Sequence, residues 1–201
     1  MQSPTLDRRG FLGAAGAGSF VFAFHIPFEA QAQAAPGNLP PEVNAWVVVR
    51  PDDTVVIRIA RSEMGQGTLT GLAQLVAEEL ECDWAKVTTE FPTPGQNVAR
   101  GRVWRDFATG GSRGIRGSHD YVRQGGAAAR MMLVRAAADG WGAPVGECAA
   151  AKGVVTHRPS GRTASYGSLA AAAGKLPLPK EVPLKDPKDW KVIGKPMRRL
   201  D

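Results

Sequence analysis

The stretch Ser62-Glu63-Met64-Gly65-Gln66-Gly67-Thr68-Leu69-Thr70 constrains this chain more than any other. A β-branched run over residues 45–60 leads into it, and an amphipathic helical pattern over 69–81 leads out. Two glycines therefore stand where a strand hands over to a helix N-terminus. Such a handover leaves backbone N–H groups unpaired beside the positive end of the helix dipole, a setting that suits an anion and most often a phosphate. Gly65 and Gly67 permit positive φ and a close approach of the backbone to a ligand. Gln66, between them, offers one acceptor and two donors. The competing reading is an ordinary glycine turn with Thr68 as helix N-cap. Spacing alone leaves both open, because a lone GxG is a weak signal.

The surroundings of this turn read as a βαβ-like unit. Residues 46–49 and 54–59 form a hairpin across the turn residues Pro51, Asp52 and Asp53. Leu69, Leu72, Ala73, Val76 and Leu80 recur at helical spacing, with Gln74, Glu78, Glu79 and Glu81 mostly on the other sides. Residues 87–91 read as the returning strand.

A second glycine turn, Ala108-Thr109-Gly110-Gly111-Ser112-Arg113-Gly114, again precedes a helical pattern, broadly 115–139. Thr109 and Ser112 bring hydroxyls, and Arg113 brings a guanidinium that can pair with a phosphate in a bidentate fork. A capping turn, with Ser112 as N-cap and Arg113 and Arg116 solvated, is the equal alternative. Residues 92–105 read as a loop. Residues 144–153 read as a short helix closed by Gly153. A hairpin, 154–157 with 163–166, then turns about Pro159-Ser160-Gly161-Arg162, and Ser168 is placed to cap a last Ala-rich helix. The tail, 176–201, carries Pro177, Pro179, Pro183, Pro187 and Pro196 among many lysines. It reads as extended, laid on the domain or on a partner.

Residues 1–34 have the form of an export signal. Arg8-Arg9-Gly10-Phe11-Leu12 is a twin-arginine pattern, an apolar run follows, and Ala32-Gln33-Ala34 is a cleavage signal. The reading is a periplasmic protein exported by the twin-arginine route, a route used by proteins folded around a cofactor. The net charge is +6, but the cations are dispersed without interleaved aromatics, which argues against nucleic acid. Two cysteines, Cys82 and Cys148, are too few for an iron–sulfur cluster or a Cys-rich zinc site, and read as buried thiols sooner than as a disulfide. His25, His119 and His157 are isolated, so no nucleophile triad and no metal-ligand set is expected. Glu63 is the one carboxylate beside the first turn, and reads as structural sooner than as a base.

The wording Glu63-Met64-Gly65-Gln66-Gly67-Thr68, followed by Ala73-Gln74 and Ala77-Glu78-Glu79-Leu80, resembles the molybdopterin-binding large subunit of the xanthine oxidase family, in its exported isoquinoline 1-oxidoreductase β-subunit branch of aldehyde dehydrogenases. The 109–112 segment resembles the same family, as does the tail at Asp189-Trp190-Lys191 and Arg198-Arg199-Leu200-Asp201. The resemblance implies molybdopterin as cofactor, with the cytosine dinucleotide form among its candidates, shared with a partner chain. It implies cofactor contacts at Gly65, Gln66, Gly67 and Thr68, and at Thr109, Gly110, Gly111, Ser112 and Arg113. It implies oxidation of aldehydes or N-heterocycles with water as oxygen source. The family's catalytic base lies near the far end of a much longer chain, so no catalytic residue is assigned here. The implied partners are a chain carrying the remainder of the large subunit, a 2Fe–2S small subunit and a cytochrome c, with peripheral membrane association left open. A non-catalytic pterin- or phosphate-binding or assembly module, or a truncated remnant, is the alternative. The expected fold is α+β: a mixed sheet with βαβ-like units and two or three helices. It forms one domain over 45–175, after the signal and a linker over 35–44, and before an extended tail over 176–201 that leads to the family's next domain.

Overall fold

The computed structural model describes residues 42–201. The signal and most of the linker lie outside the described residues. Strand β1 (Val47–Val49) pairs antiparallel with β2 (Val55–Arg58), in the register Val47↔Ile57 and Val49↔Val55. Both strands are buried throughout, as the β-branched runs Val47–Val49 and 55–57 favour, and Arg58 at the end of β2 is buried in pairing with Glu42 and Glu90. Chain then crosses over through helix α1 (Thr68–Leu80) to β3 (Val87–Glu90), which pairs parallel with β2 from Val55↔Val87 to Arg58↔Glu90. The expected βαβ unit is therefore present, and the first glycine turn sits at the end of its central strand.

Helix α2 (Pro94–Ala99) occupies the stretch read as a loop. Thr93 accepts the Gln96 N–H while Gln96 accepts the Thr93 N–H, and Pro94 takes the first helical position, so a full capping box stabilises a helix of only six residues. The single helix expected over 115–139 is two. Helix α3 (Arg113–Arg116) is one turn, and α4 (His119–Trp141) starts afresh after Gly117 and Ser118. The region read as a helix at 144–153 is instead strand β4 (Cys148–Ala151) after a 3₁₀ turn. Strand β4 pairs with β5 (Val154–His157) across Lys152 and Gly153, whose φ values of 48° and 78° make the two-residue hairpin loop. Three alanines yield to this pairing because alanine's helix preference is weak against a tertiary ladder. Strand β6 (Thr163–Ser165) completes the second, antiparallel sheet and feeds helix α5 (Tyr166–Ala173). Ser165, not Ser168, caps α5 by accepting the Ser168 N–H. Five α-helices thus stand among the described residues, two of them short.

Helix α1 packs between the mixed sheet and α4. Leu72, Ala73, Val76 and Leu80 are buried on it as their spacing predicts. A Cβ added at Gly126 of α4 would lie 2.4 Å from the Val76 carbonyl oxygen, so only glycine allows the helices this close. Trp46 packs edge-on against Trp104 and tilted against Tyr121. Cys82 and Cys148 are both free and buried. His157 is buried with both ring nitrogens engaged, Nδ1 with Ser160 and Nε2 with Glu147, and His119 pairs with its neighbour Asp120.

The tail lies on the domain. Glu78 and Glu79, placed by spacing off the apolar face of the helix, are 1% and 0% exposed because the tail covers them. Glu78 accepts the backbone N–H groups of Lys191, Val192 and Ile193 at 2.8, 2.6 and 3.1 Å, and the Lys185 ammonium at 2.9 Å. Glu79 accepts Arg123 through both Nε and Nη2, and the Lys185 N–H. A buried carboxylate survives only when paired and hydrogen-bonded in this way. Residues Glu42 and Val43, placed in the linker by sequence, belong to the fold. Val43 is buried, and Glu42 pairs with Arg58 and Arg100.

Candidate functional site

The first glycine turn is closed from within. Glu63 Oε1 accepts the Gly65 and Gly67 N–H groups at 2.7 and 3.0 Å, and its Oε2 accepts the Leu69 N–H at 2.9 Å. The N–H groups expected to await an external anion thus already hold an internal one. The Leu69 N–H above all, then those of Gly67 and Gly65, keeps the Glu63 carboxyl below the ordinary carboxylate range. Thr68 is not the N-cap. Gly67 holds that position with φ 77°, and Thr68 is the first helical residue.

Gln66 spans the same turn. Its Oε1 accepts the Met64 N–H at 2.6 Å, and its Nε2 donates to the Ser62 carbonyl at 2.8 Å and the Thr68 hydroxyl at 2.9 Å. Both amide donors are in use, and one acceptor lone pair of Oε1 is left over. Gly65 also has positive φ, 92°, and a Cβ at either Gly65 or Gly67 would meet nothing within 4 Å. The outer side of the turn is open backbone.

The second turn is brought alongside the first. Thr109 Oγ1 accepts the Ser62 N–H at 3.0 Å, and Gly114 packs against Thr68, 3.0 Å from its hydroxyl oxygen to an added Cβ. Gly110 and Gly111 are likewise open. Ser112 precedes α3 in the left-handed region, φ 56°, and its side chain makes no capping bond. Arg113 folds back to the Gly110 carbonyl and Arg116 to that of Gly111, each at 3.3 Å. All nine sequence-assigned residues, Gly65 to Thr68 and Thr109 to Arg113, thus belong to two adjoining turns.

Three features were not legible in the sequence. Arg61, 5% exposed, donates from Nε to Ser118 and from Nη1 to the Asp106 carboxylate and carbonyl, and reaches Tyr121 through Nη2. It ties the end of β2 to the segment leading to the second turn. A cavity of about 260 Å³, lined by Ile59, Ala60, Arg61, Ser62, Phe91, Pro92 and Phe107, opens beside the first turn at the carboxyl ends of β2 and β3. That is where parallel strands offer ligand sites. The tail also reaches α1 at its first turn, where Thr70 accepts the Leu200 N–H at 2.9 Å and donates to Asp201. Arg199 first, then Thr70, holds the Asp201 carboxyl down at about 2. Among the described residues no cluster of three His, Cys, Asp or Glu could hold a metal ion, and no helix is long and apolar enough to cross a membrane.

Comparison with known proteins places these turns in context. The family described as the molybdopterin cofactor-binding domain matches residues 7–198. The β subunit of isoquinoline 1-oxidoreductase from Brevundimonas diminuta is 39% identical over 171 residues, covering 83% of this chain and 22% of that protein. A membrane-bound aldehyde dehydrogenase (pyrroloquinoline-quinone) from Gluconacetobacter polyoxogenes is 30% identical over 203 residues, covering 96% of this chain and 25% of that protein. The chain therefore spans a quarter or less of these relatives' length. Quinoline 2-oxidoreductase from Pseudomonas putida 86 aligns in structure with a TM-score of 0.42 and 15% identity, over 63% of this chain and 15% of that one.

Proposed function

The chain belongs to the molybdopterin cofactor-binding domain family, within the xanthine oxidase group, and from that premise we propose that it is the N-terminal, cofactor-contacting part of a periplasmic molybdenum hydroxylase. Its cofactor is molybdopterin. The proposed reaction is oxidation of an aldehyde or an N-heterocycle with water as the oxygen source. The names of the two relatives, an isoquinoline oxidoreductase subunit and an aldehyde dehydrogenase, support that substrate range. The twin-arginine pattern at Arg8 and Arg9 supports the compartment.

The observation that carries the reading is the bond between the Ser62 N–H and Thr109, which sets the two glycine turns side by side. The residues fit the cofactor as an open polar ledge. A Cβ at Gly65, Gly67, Gly110 or Gly111 would point into empty space, so a flat heterocycle can lie close against the backbone. Gln66 Oε1 keeps an acceptor site for a ring N–H, and Thr109 keeps its hydroxyl proton for a ring acceptor. Arg113, loosely tied at 3.3 Å, is free to turn toward a phosphate. When bound, the cofactor supplies the two-electron oxidation, and these residues hold and orient it. The base, the remaining large-subunit residues, a 2Fe–2S subunit and a cytochrome c come from partner polypeptides in this proposal.

The test is molybdenum and subunit content of the tagged chain purified from its own host's periplasm. Molybdenum together with a larger polypeptide is expected, and Gln66→Ala or Gly67→Val is expected to lower the molybdenum several-fold. A chain recovered alone and metal-free overturns the hydroxylase reading in favour of a binding or assembly module.

A further inference from the structure

We propose that Glu63 is the positioning residue of the cofactor-contacting turn, acting on the cofactor through the turn's shape and not by contact; this rests on the reading that Gly65, Gln66 and Gly67 touch molybdopterin. The argument begins with what supports the turn. No side chain of another element packs where a Cβ at Gly65 or Gly67 would be. Thr109 and Gly114 hold the two ends of the turn, at Ser62 and Thr68. The glycines between must hold their own shape, and with positive φ they are poor at that, because glycine has the most conformational freedom to lose.

Two side chains supply the missing constraint. Gln66 bridges Ser62, Met64 and Thr68. Glu63 gathers three N–H groups spread over Gly65, Gly67 and Leu69, so a single carboxylate fixes both glycines and the first turn of α1. Helix α1 has no acidic residue in its first turn and no side-chain cap at Gly67. Glu63 therefore also provides the negative charge that its N-terminus otherwise lacks. Ordinary caps bond two or three residues ahead, whereas this one reaches six ahead, from Glu63 to Leu69.

The bonds of Glu63 also limit which groups of the turn can meet a ligand. The three N–H groups are taken up by Glu63, so what the turn has left to offer a ligand is Gln66 Oε1 and the open glycine backbone. A carboxylate committed to three donors is poorly placed to take a proton from a substrate. Glutamine at this position has nearly the same shape but one acceptor oxygen, so three donors cannot all be met and one is opposed by the amide's own N–H. The isosteric change thus removes the constraint while leaving the volume.

The experiment has two readouts. In the full-length ¹⁵N-labelled chain, the amide signals of Gly65, Gly67 and Leu69 are followed from neutral to acid pH, and their hydrogen exchange is compared with that of Glu63→Gln. In complexes purified from the host, molybdenum is measured for Glu63→Gln and for Gly67→Val in parallel. The expected result is a common titration of the three amides in the native chain, about tenfold faster exchange in Glu63→Gln, and molybdenum lowered in both variants. Unchanged exchange in Glu63→Gln overturns the proposal. So does full molybdenum in Glu63→Gln when Gly67→Val has lost it, an outcome that leaves the contact reading intact. Full molybdenum in both variants removes the contact reading itself and the proposal with it.

Discussion

Ser62 and Thr109 are 47 residues apart in the chain and share one hydrogen bond, from the backbone N–H of the first to the hydroxyl of the second at 3.0 Å. That bond makes one ledge of two separate glycine turns. Replacing Thr109 by valine keeps the shape and removes the acceptor. Because the bond is near the surface, the expected loss of stability is only about 0.5 kcal/mol. The expected loss of molybdenum from the assembled complex is larger in proportion. Denaturant unfolding and metal analysis of the same variant would show both.

Glu78 gives a pH dependence of definite sign. Burial acts first to raise its pKa, but the Val192 N–H, the Lys185 ammonium and the Ile193 N–H together hold it below its ordinary 4.5. A carboxyl depressed in the folded state stabilises fully above the unfolded value and loses that contribution as pH falls through the folded one. The charged groups facing it are Lys185 and, beyond, Glu81 and Lys191. Stability measured by urea is expected to hold from neutral pH to about 5 and to fall below 4.5. Glu78→Gln is expected to cost about 2 kcal/mol at neutral pH and to flatten that acid slope.

Gly126→Ala is expected to destabilise, although alanine is the better helix former by about 1 kcal/mol. The added methyl would sit 2.4 Å from the Val76 carbonyl oxygen, and the Glu79 Cβ is 3.2 Å away. Overpacking of backbone against backbone at a helix crossing costs about 2 kcal/mol. A thermal melt that rises in this variant would falsify the close approach of α1 and α4.

Burial pushes the Cys82 thiol up to about 12. Only a thiolate is alkylated at a useful rate. Iodoacetamide at pH 8 is therefore expected to leave Cys82 unmodified in the folded chain and to label it in urea. Mass spectrometry of non-reduced peptides is expected to find Cys82 and Cys148 unlinked, since both are free in the structure.

The hairpin, the first turn, α1 and β3 were legible because their signals are local: β-branched runs, paired glycines and a 3.6-residue repeat from Leu69 to Leu80. Helix α2 carried an equally local signal, Thr93 and Pro94 followed by Gln96, which six residues rich in turn formers obscured. Strand β4 was not legible, because Ala149, Ala150 and Ala151 acquire their conformation from Thr156, Val155 and Val154 across the ladder. At the site, the glycines and Gln66 could be found by pattern. The inward reach of Glu63 could not, since no common capping spacing runs from a residue to its sixth successor. Arg61 is a lone cation at a strand end, and nothing near it in sequence points to Ser118 or Asp106.

The bonds that fasten the tail to α1 join residues 106 to 131 positions apart, from Lys185 with Glu79 to Asp201 with Thr70. Contacts that distant are the slowest to close, and on the ribosome they cannot begin until residues 185–201 have been made. Until then the face of α1 awaiting cover is a row of ionised, hydrated glutamates. A nascent chain that exposes Glu78 and Glu79 in place of leucines offers other nascent chains no greasy surface to adhere to. The acids that look costly in the folded interior thus keep the unfolded one in solution, and they change from solvated groups to interior fastenings when the 185–201 segment docks.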